Sequence, residues 1–346
     1  MKTIFCYLII LIITVGYSNA CTTFCLKNGE SVILAKNLDW EIDLGFVMVN
    51  PSGIQKESFS DEGKSIIWTS KYPSVTFNQF GKEFPLGGMN FCGLAMEELN
   101  SESVIFINDS SKNQLNEFQL VQYILDNCSN VNEAIQLLKI LQQKVAIQTL
   151  HYMIADSSGV SAVIEFDGTK FNPIICDGHN YSVLSNNMYH QSLRYLNNFE
   201  GFGGKLPIVN RSGSNERFVF TVKMLSNFSN QNPVDYSFRV LDSVKQYDTR
   251  WSIVYDTKML KIYFRFHSCE KVKEFDLSLL NIHSLKQTIG CDITRCSCIE
   301  AKHFSEISAN DNSSLIKNVS DKIGTNYQYL LNKMADYGNL YLKKIH

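Results

Sequence analysis

Cys21-Thr22-Thr23-Phe24-Cys25-Leu26, then Lys27-Asn28-Gly29-Glu30, then Ser31-Val32-Ile33-Leu34-Ala35-Lys36-Asn37-Leu38-Asp39-Trp40, is the stretch from which the rest of the chain can be read. Runs rich in β-branched and aromatic residues flank an Asn-Gly pair, the strongest short-range signal for a β-hairpin. A strand pairing back across that turn returns the chain close to where it began. Asp39 is therefore expected near Cys21, despite the residues between them.

What precedes Cys21 gives that neighbourhood its interest. Lys2 is followed by an apolar run from Ile4 to Val15 and by the ending Tyr17-Ser18-Asn19-Ala20. The run falls short of the roughly 20 apolar residues that a membrane span needs. A basic start, a short apolar centre and a small-x-small ending (Ser18, Ala20) form the pattern of a secretory signal peptide. Cleavage after Ala20 would expose Cys21 as a new N-terminus. Its thiol is a weak nucleophile until deprotonated, and an N-terminal residue carries its own base, the α-amine. Three readings of Cys21 stand at this point: a nucleophile, a structural cysteine, or a lipid-anchoring one.

Composition narrows the classes. The chain has 346 residues, 45% hydrophobic and 19% charged, with a formal net charge of −2. That composition suits a globular chain with a sizeable core, and without a basic block there is no footprint for nucleic acid. No second stretch is long and apolar enough to span a bilayer, so a transmembrane span is not expected. Ten cysteines are present. Cys291, Cys296 and Cys298 lie close together, but without a CxxC pair or a suitably spaced histidine they favour a disulfide-stapled loop over zinc.

Outward from the first hairpin, strands are expected at 45–50, 65–68, 74–77 and 93–99. Apolar residues at Phe118, Val121, Ile124 and Leu125, then Val131, Ala134, Ile135 and Leu138, follow the helical period. They predict two helices within 116–143, broken at 126–130. Strands resume at 151–156, 161–166 and 181–185, and helices at about 215–225 and 234–245. Trp251–Asp256 and Lys261–Phe266 form a second hairpin, and the tail from Ser313 is an amphipathic helical stretch. Strands and helices in alternating blocks predict an α+β fold with sheets covered by helices. No linker divides the chain, which reads as a leader (1–20) and one domain (21–346) with a cysteine-containing and helical extension from about 269.

Cys21-Thr22-Thr23-Phe24 followed by Ile33-Leu34-Ala35-Lys36-Asn37-Leu38-Asp39-Trp40 resembles the start of the choloylglycine hydrolase family, linear-amide hydrolases that begin with a catalytic cysteine. In that family the second strand carries an Arg-Asn-x-Asp pattern. Asp39 matches the aspartate, which the resemblance implies orients the α-amine, and Lys36 stands where the arginine normally does. An ammonium keeps the charge that favours thiolate but lacks the planar fork of a guanidinium. Gly88-Met89-Asn90-Phe91-Cys92-Gly93-Leu94-Ala95-Met96-Glu97-Glu98-Leu99-Asn100 is similar to the segment that ends in a site asparagine or tyrosine. Asn100 takes that place. Val183-Leu184-Ser185-Asn186-Asn187 resembles the strand end that supplies a second asparagine, Asn186. Ser212-Gly213-Ser214-Asn215-Glu216-Arg217-Phe218 puts Arg217 in the site arginine's place. The resemblance spans roughly Cys21 to Phe266 and implies the four-layer αββα sandwich of N-terminal nucleophile hydrolases.

The residue types suit that chemistry. Attack of Cys21 on an amide carbonyl creates an oxyanion that needs donors already in place, a task for Asn186 and the Asn100 region. Arg217 would hold charge and geometry around Cys21 and Asp39. The resemblance implies as substrate a linear amide of a small amine or amino acid, bile-salt-like or penicillin-V-like; no cofactor or metal is expected, the compartment is an exported one, and a homo-oligomer is left open. A papain-like enzyme would need a histidine base, and His151, His179, His190, His267, His283 and His303 lie in no such context. Without HExxH, GxSxG or a Gly-rich phosphate loop, metalloprotease, serine hydrolase and nucleotide chemistry have no support. The competing reading is an exported binding protein, anchored through lipid on Cys21, that keeps the fold without the activity.

Overall fold

The computed structural model describes residues 21–59, 65–101, 113–167, 170–177, 181–282, 285–295 and 303–342. Two antiparallel sheets organise it. The smaller has six strands, in the order Val183–Leu184, Thr22–Lys27, Val32–Asp39, Thr249–Asp256, Lys261–Phe266 and Cys269–Asp276. Both sequence-predicted hairpins lie in it, joined along the pairing of Val32–Asp39 with Thr249–Asp256. The larger sheet has nine strands, with Lys170–Ile175 at one edge, Ala95–Asn100, Pro85–Asn90 and Ser74–Asn78 near its centre, and Ser305–Glu306 at the other edge.

The two sheets face each other through an aromatic seam. Phe77 of the larger sheet meets Trp251, Tyr255 and Phe264 of the smaller, with ring centroids 6.4, 6.1 and 5.4 Å apart. Such rings bury large apolar areas and favour edge-on contacts. Helices Ser214–Ser226 and Pro233–Ser243 cover the outside of the smaller sheet, and helix Gln119–Asn127 covers the larger. The layers are helix, sheet, sheet, helix, in agreement with the expected αββα sandwich.

Departures from the expected elements are local. The helical period was expected through residue 143, but helices Gln119–Asn127 and Val131–Leu138 end earlier and Leu141–Lys144 is a strand, parallel to Asn113–Asn116. The break falls at Cys128-Ser129-Asn130, where the Asn130 side chain accepts from the Glu133 N–H and caps the second helix. The expected strand at 65–68 forms only as Ile67–Thr69, in a separate two-stranded ribbon with Gln55–Glu57. The tail is two helices, Ala309–Ile323 and Gln328–Leu340, the first opened by a capping box at Ser308 and Asp311. Among the described residues no disulfide is formed, and Cys25, Cys92, Cys128 and Cys176 are free thiols. Cys296 and Cys298 of the expected stapled loop lie outside the described residues, as does the leader.

Candidate active site

The first hairpin builds the floor of the site. Thr22 is paired with Asn37 and Thr23 with Lys36, so Cys21 emerges beside Leu38 and Asp39. Its thiol lies 4.0 Å from the Asp39 backbone oxygen. Cys21, Lys36, Asp39, Asn186 and Arg217 are all buried. Of the six residues expected from sequence, Asn100 is the half-buried one, at the end of strand Ala95–Asn100. All six gather at one end of the sandwich.

Arg217, in the first part of helix Ser214–Ser226, reaches down from the helical layer. Its Nε donates to Thr22 Oγ1 at 3.0 Å, and Nη2 donates to the Cys21 carbonyl at 3.3 Å and to Asn186 Oδ1 at 3.1 Å. One guanidinium thus ties the first two residues of the hairpin to the asparagine that follows the short strand Val183–Leu184. Asn186 Nδ2 in turn donates to the Asn100 backbone oxygen at 2.9 Å. That bond uses one of the two amide hydrogens and leaves the second for a ligand.

Asp39 is the most informative group. Thr249, its cross-strand partner, donates through Oγ1 to Asp39 Oδ1. Oδ2 is buried and has no hydrogen-bond partner among the described residues. Burial pushes this carboxyl up to about 7, against the pull of the Thr249 hydrogen bond and of Arg217. A buried acceptor left unmade costs about 1–3 kcal/mol, so the position awaits a donor. Burial likewise pushes the Cys21 thiol up to about 12, with Lys36 the largest opposing influence.

Lys36 is brought to the same site, but its charge is already shared. Nζ lies 3.1 Å from Glu97 Oε2 and 3.1 Å from Glu98 Oε1, all three side chains being buried. Burial alone would push the ammonium down; Glu98 and Glu97 together hold it above the ordinary lysine value. Tyr255 donates its hydroxyl to Glu97 Oε1. Gly87 stands opposite Glu97, and a Cβ there would fall 2.2 Å from its carboxyl group. Glycine is what lets that carboxylate fold over the strand. Sequence reading missed Thr249, Glu97 and Glu98. Two adjacent acids inside an otherwise apolar strand were the available signal, since buried charges need a partner.

Cys21, Asp39, Glu98 and Asn100, with the apolar side chains Leu38, Phe80 and Leu86, border a cavity of about 20 Å³, room for one water-sized group. Trp40, Gln79 and Gln148 complete its wall. No histidine among the described residues lines it. His151, the buried one, pairs through Nδ1 with Glu165 at 3.3 Å. His179 and His283 lie outside the described residues. No described helix is long and apolar enough to cross a membrane.

A two-sheet sandwich with a thiol at the start of one central strand is the architecture of the N-terminal nucleophile hydrolases. The penicillin V acylase of Agrobacterium tumefaciens superposes with a TM-score of 0.72 at 24% identity, over 84% of this chain and 98% of that one. A conjugated bile acid hydrolase of Clostridium perfringens gives 0.62 at 18% identity, over 76% and 94%. At these identities the likeness speaks for fold alone. The family assignment comes from sequence: residues 21–224 match the model of the linear amide C–N hydrolases, choloylglycine hydrolase family. The chain belongs to that family and is a hydrolase of linear amide C–N bonds. A further relative is the penicillin V acylase of Pectobacterium atrosepticum, 27% identical over 333 aligned positions, which cover 81% of this chain and 88% of the relative.

Proposed function

We propose that this protein is an exported acyl-amide hydrolase, switched on when its leader is removed after Ala20, with Cys21 as nucleophile and its own α-amine as base. The single observation that carries the reading is the unpartnered, buried Asp39 Oδ2 next to Cys21. The missing donor is supplied by cleavage. Once residue 20 is gone, Cys21 gains an ammonium within the hairpin, and a carboxylate beside it holds that charge and fixes its direction.

The steps follow from the groups in place. The neutral α-amine takes the thiol proton, and the sulfur adds to the amide carbonyl carbon. The oxyanion that forms is met by the spare N–H of Asn186 Nδ2 and by the Asn100 carboxamide. A donor so placed is worth about 2.7–4 kcal/mol in the transition state. The tetrahedral adduct collapses as the C–N bond breaks, the α-ammonium returning its proton to the leaving nitrogen. Water then attacks the thioester, losing its proton to the α-amine, and the acid departs as the thiol is restored. Arg217 keeps Asn186 and the Cys21 carbonyl in register throughout. The chain past the leader works as one domain in this reading.

The test is turnover by the mature protein. A panel of N-acyl amines and N-acyl amino acids is expected to yield free acid and free amine in equal amounts, and Cys21→Ala to remove the activity. Activity that survives Cys21→Ala would overturn the proposal.

A further inference from the structure

Away from the Cys21 cavity, two further thiols meet where the edges of the two sheets converge. Cys25, in strand Thr22–Lys27, donates its backbone N–H to the Ser182 carbonyl at 2.8 Å, beside the edge strand of the smaller sheet. Cys176 follows the edge strand Lys170–Ile175 of the larger sheet and donates its N–H to the Ser161 carbonyl at 2.9 Å. The Ser161 and Ser182 hydroxyls are 3.1 Å apart and fasten the two edges together. The Ser161 hydroxyl lies against both thiols, and Cys176 Sγ stands 3.6 Å from the Tyr181 carbonyl. A disulfide needs side chains that point toward each other. Two thiols that reach one hydroxyl from opposite sheets do so.

Both cysteines, each 4% exposed, line one cavity of about 430 Å³. Helix Ser214–Ser226 covers it through Val222, Leu225 and Ser226, and Lys27 is its cation. A space of that size admits a small molecule. Burial pushes the Cys25 thiol up to about 12 and raises Cys176 as well, with Lys27 opposing burial at both. A thiol of raised pKa is a poor leaving group, so a bridge between these two, once made, resists reduction.

We propose that Cys25 and Cys176 form a modification site, an oxidisable dithiol that closes into a disulfide and staples the first strand of the Cys21 hairpin to the edge of the larger sheet. The oxidant is a low-molecular-weight disulfide. One protein thiolate attacks it, forming a mixed disulfide and releasing one small thiol. The second protein sulfur then attacks the first and releases the other small thiol. Two electrons pass from the protein to the oxidant, and the two protons leave on the released thiols. The bridge closes a loop of about 150 residues, and cross-links across long loops restrict the unfolded chain most. This inference stands apart from the acyl-amide reading, since neither thiol borders the cavity at Cys21.

The experiment incubates the purified protein with oxidised glutathione or with dithiothreitol, quenches in acid, alkylates, and maps peptides without reduction. The expected result is a cross-linked pair holding Cys25 and Cys176, absent from the reduced sample and from Cys176→Ser. The oxidised protein should melt at least about 5 °C above the reduced one, and Cys176→Ser should melt alike in both conditions. Cys25 and Cys176 recovered as separately alkylated or glutathionylated residues would overturn the proposal, as would either one bridged to another cysteine. A bridge that leaves the melting temperature unchanged would overturn its role as a staple. Should Cys176→Ser fail to fold, the peptide map of the unaltered protein decides by itself.

Discussion

Arg217 Nη2 stands 3.1 Å from Asn186 Oδ1, and this bond decides which way the Asn186 carboxamide points. With Oδ1 held by the guanidinium, the amide nitrogen turns toward the Asn100 backbone oxygen. Asn186→Ala is expected to lower kcat by about 10²–10³-fold with little change in KM, the usual signature of a lost oxyanion donor. Arg217→Lys keeps the charge but not the fork that spans Thr22, Cys21 and Asn186, and should lose most of kcat as well. Steady-state kinetics on the two variants check both; a KM effect alone would speak against the assigned geometry.

Asp39 gives a prediction in pH. Burial raises its carboxyl from 3.8 to about 7 in the full chain. Folding stability linked to this group is therefore complete below about pH 4 and is lost as pH rises through about 7. In the uncleaved chain, expressed without export, Asp39→Asn should leave stability unchanged near pH 4 and raise it near pH 8. In the mature protein of the proposed reading, where an ammonium would face Oδ2, the same substitution should lower both stability and kcat near pH 8. Thermal melts of both forms at the two pH values read the difference. The same sign in both forms would mean that the α-amine does not meet Asp39.

Lys36 is the buried counter-ion of two acids. Lys36→Met strands Glu97 and Glu98 and is expected to destabilise by about 3–5 kcal/mol, read from urea denaturation midpoints. Lys36→Arg restores a cation and should recover most of that loss. Because Lys36 is the largest influence pulling the Cys21 thiol down, Lys36→Met should also slow alkylation of Cys21 at a given pH. Unchanged alkylation with a folded variant would show that Lys36 serves the acids alone.

The C-terminal helices bear on the cavity at a distance. Asn312 Oδ1 accepts from the Lys82 backbone N–H at 2.8 Å, and its Nδ2 donates to Asn339 Oδ1 at 2.9 Å. Lys82 belongs to the turn that begins with Gln79 and Phe80, both in the cavity wall. Asn312→Ala leaves a buried N–H unmade, at about 1–3 kcal/mol, and is expected to raise KM more than it lowers kcat. Melting temperature and the KM-to-kcat split measure the two effects.

How much of this was legible in the chain depends on the range over which each signal acts. The hairpin across Asn28-Gly29 and the one between Asp256 and Lys261 announce themselves locally, and with them the approach of Asp39 to Cys21. Strand Lys170–Ile175 went unread because Pro173 interrupts its pattern, which a sheet edge tolerates. Strand Leu141–Lys144 has one apolar residue in four, and it is held by backbone pairing to the equally polar Asn113–Asn116. Helix Tyr189–Leu196 is short, and polar residues interrupt its apolar spacing. The candidate site residues came from the family pattern. Their partners did not, because Glu98 lies 62 positions from Lys36 and Thr249 lies 210 from Asp39. Only the stacking of the two sheets and the pairing of their strands bring such residues together.

The measurement that tests the central claim most directly is the intact mass and peptide map of the exported protein after a brief incubation with an acyl amide and an acid quench. The account predicts a chain that begins at Cys21, carrying one acyl group as a thioester on that residue, with no adduct in Cys21→Ala. A chain that retains residues before Cys21 while still active, or an acyl group attached elsewhere, would contradict it.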